Sequence, residues 1–144
     1  MYEGLIREEF MKKILFVLLC GLCLLSIAGC GNKTTYTLNL PQLENLKNIS
    51  LIQNANEKSI SSTERMKEIL DVINGVKRVT KNGSIQDAPI NVSNVIKIDF
   101  NFIDEGSSTL FVYKKNNKYF IEQPYNGIYQ ISKDEYNSIE KYIK

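Results

Sequence analysis

The sequence predicts an α+β domain with two layers: an antiparallel sheet that ends in a C-terminal β-meander, and two helices packed on one face of that sheet. Residues 95–131 alternate apolar and polar side chains in short runs separated by turn sequences, as successive β-hairpins do. Residues 61–76 and 132–143 carry apolar side chains at helical spacing along one side only, which is typical of helices lying on a sheet. The predicted order of elements is β–β–α–(β)–β–β–β–β–α.

The first half of the domain contains two predicted strands and one predicted helix. Residues 36–40 alternate and end before a proline, which favours an edge strand, and residues 48–53 form the second strand. Ser61 and Glu64 have the spacing of a capping box, so we expect the helix to begin at Ser61. Gly75 predicts its end.

The second half contains the clearest strand patterns. After a brief predicted strand at residues 77–80, residues 84–89 have no hydrophobic period and indicate a structured loop. Four strands are then expected at residues 95–103, 109–114, 118–123 and 128–131.

Two turns and a helix complete the predicted domain. Asn116-Asn117 favours a tight turn because asparagine tolerates a positive φ, and Asn126-Gly127 is typical of a type I′ hairpin turn. Ser132 and Glu135 have the spacing of a second capping box, which predicts a final helix starting there.

The beginning of the chain predicts export. Lys12-Lys13 precede a short apolar run, residues 14–27, whereas a membrane-spanning helix needs about 20 apolar residues. The run ends in Ile27-Ala28-Gly29-Cys30, which resembles a bacterial lipobox. That resemblance implies that Cys30 receives a diacylglyceryl group and that the chain is cleaved between Gly29 and Cys30. A plain signal peptide with an incidental cysteine is the alternative.

These signals divide the chain into four parts. Residues 1–10 are acidic and fit no signal peptide, so we interpret them as a mis-called extension before a true start at Met11. Residues 11–29 are the predicted lipoprotein signal peptide, residues 30–36 the lipidated cysteine with a polar tether, and residues 37–144 a single domain. We therefore expect a lipid-anchored protein on the outer side of the cell membrane, with the diacylglyceryl group as its membrane contact.

Composition argues against several classes of function. The chain has 18 Lys and Arg against 16 Asp and Glu, and this near-balance argues against nucleic acid as a partner. It has no histidine, the commonest general base and metal ligand, so we predict no metal and no other cofactor. Cys20 and Cys23 lie in the signal peptide, which leaves only the lipidated Cys30 in the mature chain. We therefore do not expect an enzyme.

Three segments of the domain have a distinctive sequence: Ser84-Ile85-Gln86-Asp87-Ala88-Pro89, Ile96-Lys97-Ile98-Asp99-Phe100, and the run from Tyr119 to Tyr129. They resemble an uncharacterised domain family of Firmicute, clostridial-type lipoproteins. Similar domains are attached to some membrane metallopeptidases related to antibiotic sensors. The resemblance covers residues 38–143 and implies an extracytoplasmic module without an assigned chemistry.

The 84–89 loop and the predicted hairpin near residue 125 form the candidate binding surface. Tyrosine offers a large amphipathic contact area, and an acidic loop beside it adds a polar contact. The alternatives are that Asp87 only caps its own loop, and that the tyrosines pack in the core or on the sheet. The candidate residues are Ser84, Asp87, Pro89, Gln123, Tyr125, Asn126, Gly127 and Tyr129.

Three functions are open at this point. The expected one is a binding, interaction or sensing module whose ligand is an envelope protein, a peptide or a cell-wall fragment. The second is a small envelope hydrolase, which would need two of the carboxylates Asp87, Asp99 and Glu122 within about 10 Å of each other in a cleft. The third is a structural surface lipoprotein, which a surface without a concave, aromatic-lined patch would favour.

Overall fold

The computed structural model describes residues 37–76 and 81–144. They contain seven strands and two helices, so the domain is mixed α+β, as predicted. After a 3-10 turn at Leu43–Asn45, the elements are β1 (Leu46–Gln53), β2 (Asn56–Ile60), α1 (Thr63–Gly75), β3 (Lys81–Asn82), β4 (Ser93–Phe102), β5 (Ser107–Lys115), β6 (Lys118–Gln123), β7 (Gly127–Ile131) and α2 (Lys133–Glu140).

Four predictions lie outside the described residues. They are the mis-called extension at residues 1–10, the signal peptide at residues 11–29, the lipidated cysteine and tether at residues 30–36, and the brief strand at residues 77–80.

The strands of the described residues pair antiparallel in one sheet with the order β2-β1-β4-β5-β6-β7-β3. Each strand from β4 to β7 pairs with its neighbour in the chain, and the β1–β2 hairpin is added beside β4. β3 pairs with the outer edge of β7. Because β5, β6 and β7 lie between β3 and β4, the chain that joins them, residues 83–92, has to return across three strands. We call residues 83–92 the strap.

One face of the sheet holds the hydrophobic core. Along β4 every second residue is buried, at Ile96, Ile98 and Phe100, as the alternation of side chains in a strand requires. The register places Leu51 of β1 and Leu110 of β5 on either side of Ile98. Both helices contribute to the same cluster, with Met66, Ile69 and Ile73 from α1 and Tyr136 and Ile139 from α2.

The opposite face of the sheet, called here the second face, is polar where β1, β4 and β5 meet. Lys97 and Asp99 form an ion pair at 2.6 Å, and Thr109 donates a hydrogen bond to Asp99 at 2.6 Å. Asn101 Nδ2 donates to Asn48 Oδ1 at 2.7 Å across the β1–β4 pair. These side-chain bonds connect three neighbouring strands on the side away from the core.

The first predicted strand is wrong where it can be examined, because residues 37–40 are not a strand. The alternating apolar residues of this segment are instead core contacts: Leu38 is buried in the core, and Leu40 packs against it. The backbone of Asn39 pairs with a side chain, that of Gln123, instead of with a neighbouring strand. The domain has another strand, β2, that was not predicted, since all of its residues except Ile60 are polar.

The two helix starts differ in how well the sequence predicted them. The N-cap of α1 is Ser62, whose side chain makes no capping hydrogen bond, so the capping box expected at Ser61 is wrong. The helix does end at Gly75, as predicted. The capping box of α2 is confirmed: Glu135 N–H donates to Ser132 Oγ at 3.2 Å, and Ser132 N–H donates to Glu135 Oε2 at 2.7 Å.

The two hairpin turns also differ. Asn116 and Asn117 have φ values of 49° and 59°, which confirms a tight turn with two left-handed residues. The type I′ turn expected at Asn126-Gly127 is wrong, because Asn126 N–H donates to the Gln123 carbonyl at 3.0 Å and the turn is therefore Gln123–Asn126. The positive φ at this turn falls on Tyr125.

Candidate functional site

The strap crosses the second face and is fastened to the sheet at two points. Ser84 is buried over β6, where its Oγ donates a hydrogen bond to Glu122 Oε1 at 2.7 Å. Asp87 accepts a hydrogen bond from the hydroxyl of Tyr125, in the turn between β6 and β7, at 2.5 Å. These contacts bring together the two segments that the sequence proposed as one surface.

Glu122 is a buried carboxylate, with 3% of its surface exposed. Since Ile121 points into the core, the alternation of β6 places Glu122 on the second face, beneath the strap. Tyr113 of the neighbouring strand donates to Glu122 Oε2 at 2.9 Å. Burial, together with this hydrogen bond to the carboxylate, raises the pKa of Tyr113 well above its ordinary value. The phenol therefore stays protonated and remains a donor to Glu122.

A cavity of about 280 Å³ lies between the strap and the sheet. Its polar lining includes Ser84, Tyr113 and Glu122, which are linked by hydrogen bonds to one another. Most of the remaining lining is apolar and comes from both the strap and β7, with Ile85, Pro89, Ile90, Val92 and Ile128.

The exposed apolar side chains are concentrated near this cavity. Among the described residues, four large apolar side chains are exposed, and three of them lie on the strap or the adjoining turn. They are Ile85 at 84%, Ile90 at 58% and Tyr125 at 69% exposure; the fourth, Ile103, lies in the turn between β4 and β5. Exposed apolar groups that cluster on one surface are a feature of interaction sites.

Tyr125 has an unusual backbone conformation for its size. Its φ is 59°, a left-handed value that glycine and asparagine adopt readily and that bulky residues rarely do. The turn holds the ring outward, and its hydroxyl reaches Asp87 on the strap. The hydrogen bond to the Asp87 carboxylate raises the pKa of Tyr125.

Gln123 and Asn126 have internal roles in the site. The Gln123 side chain accepts a hydrogen bond from Asn39 N–H at 3.0 Å and donates to the Asn39 carbonyl at 2.9 Å. Asn126 Nδ2 donates to Gln123 Oε1 at 2.6 Å. The two side chains thus fix the shape of the turn and hold the preceding segment of the chain against it.

Besides Ser84, two of the candidate residues are buried. Tyr129 is fully buried and pairs with Ile121 on the core face, and Gly127 is buried at the start of β7. Neither offers an accessible contact, so the accessible part of the candidate surface comes from the strap and the turn. Pro89 is half-buried and lines the cavity.

A protein-family comparison matches residues 34–130 to DUF5301, described as "Domain of unknown function (DUF5300)". The chain belongs to this family. Comparisons with curated proteins and with solved structures found no match. The matched range of the DUF5301 domain contains the strap, Glu122 and the Gln123–Asn126 turn, and it ends before α2.

The three carboxylates considered for hydrolysis have separate partners in the DUF5301 domain. Asp87 is bound to Tyr125, Asp99 to Lys97 and Thr109, and Glu122 to Ser84 and Tyr113. No hydrogen bond joins two of these three carboxylates, all of which lie within the described residues.

Residues 37–76 and 81–144 lack two kinds of structural feature. This part of the chain has no group of three or more His, Cys, Asp or Glu side chains that could hold a metal ion. Nor does it contain a helix with the length and apolar character needed to cross a membrane.

Proposed function

We propose that the chain is a membrane-anchored bacterial lipoprotein whose extracytoplasmic domain binds a partner in the cell envelope. The proposed contact surface consists of Ile85, Asp87, Ile90 and Tyr125. In this proposal both helices cover the core face of the sheet, and the meander from β4 to β7 carries the strap on the other side. The contact surface then faces away from the helices.

The observation that carries this proposal is the concentration of exposed apolar side chains on the strap and the adjoining turn. An exposed isoleucine is individually common on protein surfaces, but here Ile85 and Ile90 line the same cavity and Tyr125 is bonded to the strap that carries them. Exposed apolar groups concentrated on one segment are suited to a partner. The hydrogen bond between Tyr125 and Asp87 organises the patch before binding, which lowers the entropic cost of association.

We favour binding over hydrolysis because each of the three candidate carboxylates is engaged by hydrogen-bond donors of its own. A glycosidase or a similar hydrolase needs one carboxylic acid and one carboxylate facing the same bond. Here Asp87, Asp99 and Glu122 each have their own hydrogen-bond partners.

Attachment to the membrane is supported by the sequence alone, through the lipobox Ile27-Ala28-Gly29-Cys30. The proposal includes translation from Met11 and membership of the Firmicute lipoproteins that the sequence resembles. Two acyl chains on Cys30 are sufficient for stable anchoring.

The attachment is tested by labelling the full chain with an alkyne analogue of palmitate in a Gram-positive host. We expect label in the membrane fraction, complete loss of it with Cys30→Ser, and accumulation of the uncleaved precursor. Cys20→Ser and Cys23→Ser are matched controls, because both cysteines precede the proposed cleavage site and should leave the label unchanged. Label that persists in Cys30→Ser would refute the lipid anchor.

The contact surface is tested with a photo-crosslinking residue placed at Ile85 or at Ile90 of the full chain in its membrane. Ile103 is the matched control, since it is similarly exposed but lies in a different turn. We expect a discrete crosslinked partner from the two strap positions and none from Ile103. The pair Asp87→Asn and Tyr125→Ala should reduce that crosslink at least tenfold with an unchanged thermal midpoint. Equal crosslinking from all three positions would argue against this surface.

A further inference from the structure

Three polar groups that line the cavity under the strap, on Ser84, Tyr113 and Glu122, are arranged as hydrogen-bond acceptors. The hydroxyls of Ser84 and Tyr113 both donate their single proton to Glu122. Each hydroxyl oxygen can therefore still accept a hydrogen bond but has no proton left to donate. The carboxylate can accept about four hydrogen bonds, and these two use half of that capacity. A ligand at this cluster therefore has to be a donor with several protons.

The same cluster carries a buried carboxylate that no cation among the described side chains matches. Among the side chains that the structure describes, in residues 37–76 and 82–144, no lysine or arginine lies within ion-pair distance of Glu122. An isolated carboxylate is costly to bury, and a cation bound beside it would offset that cost.

Lys115 lines the cavity too, but at its other end. Glu122 pairs with Phe111, and Lys115 lies four residues further along β5. At about 3.4 Å per residue, the two positions are roughly 14 Å apart along the strands. Lys115 therefore leaves the Glu122 end of the cavity open to an external cation.

The remaining walls and the size of the cavity limit what can carry that cation. Ile85, Pro89, Ile90, Val92 and Ile128 supply apolar contacts around the polar cluster. The volume of about 280 Å³ is just below the usual lower bound for small-molecule sites. It suits one extended side chain or a small molecule of a few heavy atoms.

We propose that the cavity under the strap binds a primary ammonium group on an apolar stem, with the ammonium against Glu122. Its three N–H donors match the acceptors on Glu122, Ser84 and Tyr113, and its stem matches the apolar walls. This inference rests on the proposed binding function and names the ligand chemistry that the same strap would recognise. A lysine side chain of a partner and a small free amine share this chemistry.

The test is an NMR titration of the full chain, ¹⁵N-labelled and held in non-ionic detergent micelles. The probes are n-butylammonium, the isosteric neutral n-butanol and the anion butyrate. We expect saturable shifts of strap and β6 amides with butylammonium, binding at least tenfold weaker with butanol, and none with butyrate. Butanol has one O–H donor for the cluster, whereas butylammonium has three N–H donors. Each further hydrogen bond to the charged group is worth about 1.5–3 kcal/mol, which corresponds to tenfold or more in affinity.

Glu122→Gln keeps the size of the side chain and removes its charge, and it should abolish the preference for butylammonium over butanol. Lys115→Met is the matched control, because it changes a charge at the other end of the cavity and should preserve that preference. The inference would be overturned if the unsubstituted chain bound butanol and butylammonium equally, or bound neither in a saturable way. This test does not depend on whether Glu122→Gln folds.

A further comparison identifies the source of the ammonium. The probe is Nα-acetyl-lysine N-methylamide, which keeps the side-chain ammonium free. Tighter binding of this probe than of butylammonium would indicate a lysine side chain of a partner, and the reverse order would indicate a small amine. The crosslinking experiment on the contact surface is independent of these titrations. Failure of every amine probe, with crosslinking from Ile85 and Ile90 intact, would remove this inference and leave the binding function standing.

Discussion

At the scale of single residues, buried Glu122 of β6 accepts one hydrogen bond from Ser84 of the strap and one from Tyr113 of the neighbouring strand β5. Tyr113→Phe deletes the phenolic donor of one of them and keeps the ring. We expect the free energy of unfolding to fall by about 1–2 kcal/mol, since a hydrogen bond to a charged group is lost in the interior. Urea unfolding measures this change.

Tyr119→Phe, at a half-buried ring on the core face, should change stability by less than about 0.5 kcal/mol. Equal effects of the two variants would contradict the role given to Glu122.

Two buried phenols make stability sensitive to alkaline pH. Burial, reinforced by the charge of Glu140, raises the pKa of Tyr136 to about 12, and burial with the Glu122 contact raises that of Tyr113. Because these folded-state pKa values exceed the ordinary value of 10.0, their contribution to stability is complete below pH 10. It is lost as the pH rises through the folded-state values.

The expected profile is a flat urea midpoint up to about pH 9 and a decline from pH 10 towards 12. The double variant Tyr113→Phe and Tyr136→Phe should start from a lower stability and lose less of it over that range. A decline of the same steepness in both proteins would show that other groups control the alkaline transition.

Tyr125 combines backbone strain with a potential role in binding. Asparagine adopts a left-handed φ more readily than tyrosine. Five asparagines of this domain, four in turns and loops and one in a strand, have such a φ: Asn54, Asn91, Asn116, Asn117 and, in the strand, Asn94. Tyr125→Asn should therefore leave the thermal midpoint unchanged or raise it by a few degrees, and still weaken partner crosslinking. A lower midpoint would show that the ring and its bond to Asp87 outweigh the strain.

At the scale of elements, sequence-based prediction succeeded where the signal was local. The capping box of α2 needs only Ser132 and Glu135, and the Asn116-Asn117 turn needs only residues that accept a positive φ. The strand at residues 118–123 was predicted with its observed bounds. The strands at residues 95–103 and 109–114 were each predicted to within two residues at either end.

Prediction failed where a distant partner decides the structure. Residues 37–40 alternate like a strand, but the side chain of Gln123 satisfies Asn39 and no strand lies beside it. β2 is polar and has one buried residue, Ile60, and it is a strand because it pairs with β1. The observed order of elements matches the predicted string, yet the strand predicted at residues 48–53 is the first strand, β1, and the second, β2, occupies a segment that was not predicted to be a strand.

The interaction between Gln123 and Asn39 predicts the behaviour of one element. Gln123→Ala removes both hydrogen bonds and should speed amide exchange at residues 37–41. The cost should be about 0.5–1 kcal/mol, because both bonds are exposed. Hydrogen–deuterium exchange with mass spectrometry measures this effect. Gln130→Ala, on the neighbouring strand β7, is the matched control and should leave the segment unchanged. Unaltered exchange in Gln123→Ala would show that Leu38 and Leu40 alone hold it in place.

At the scale of the whole molecule, the sheet order explains why the site could be predicted only in part. The proximity of the 84–89 loop to Tyr125 was expected from the sequence, and the contact with Asp87 agrees with it. The burial of Glu122 by Ser84 was not expected, because it depends on the return of the strap from β3 at one edge to β4. Tyr129 was included in the candidate surface because tyrosines cluster in the meander, and that clustering does not reveal which face of the sheet is buried.

The segment of residues 34–144, which contains the DUF5301 match and α2, is expected to be an independent folding unit. Every member of its hydrophobic cluster among the described residues lies between Leu38 and Tyr142. Apolar burial is the main favourable contribution to folding, so residues 34–144 should fold without the preceding segment. We expect the excised domain to unfold in urea in one cooperative transition, with a slope of about 1–3 kcal/mol per molar urea. Tyrosine fluorescence and far-ultraviolet circular dichroism should report the same midpoint. Non-coincident transitions, or strong binding of a hydrophobic dye before unfolding, would show that the core needs residues outside this unit.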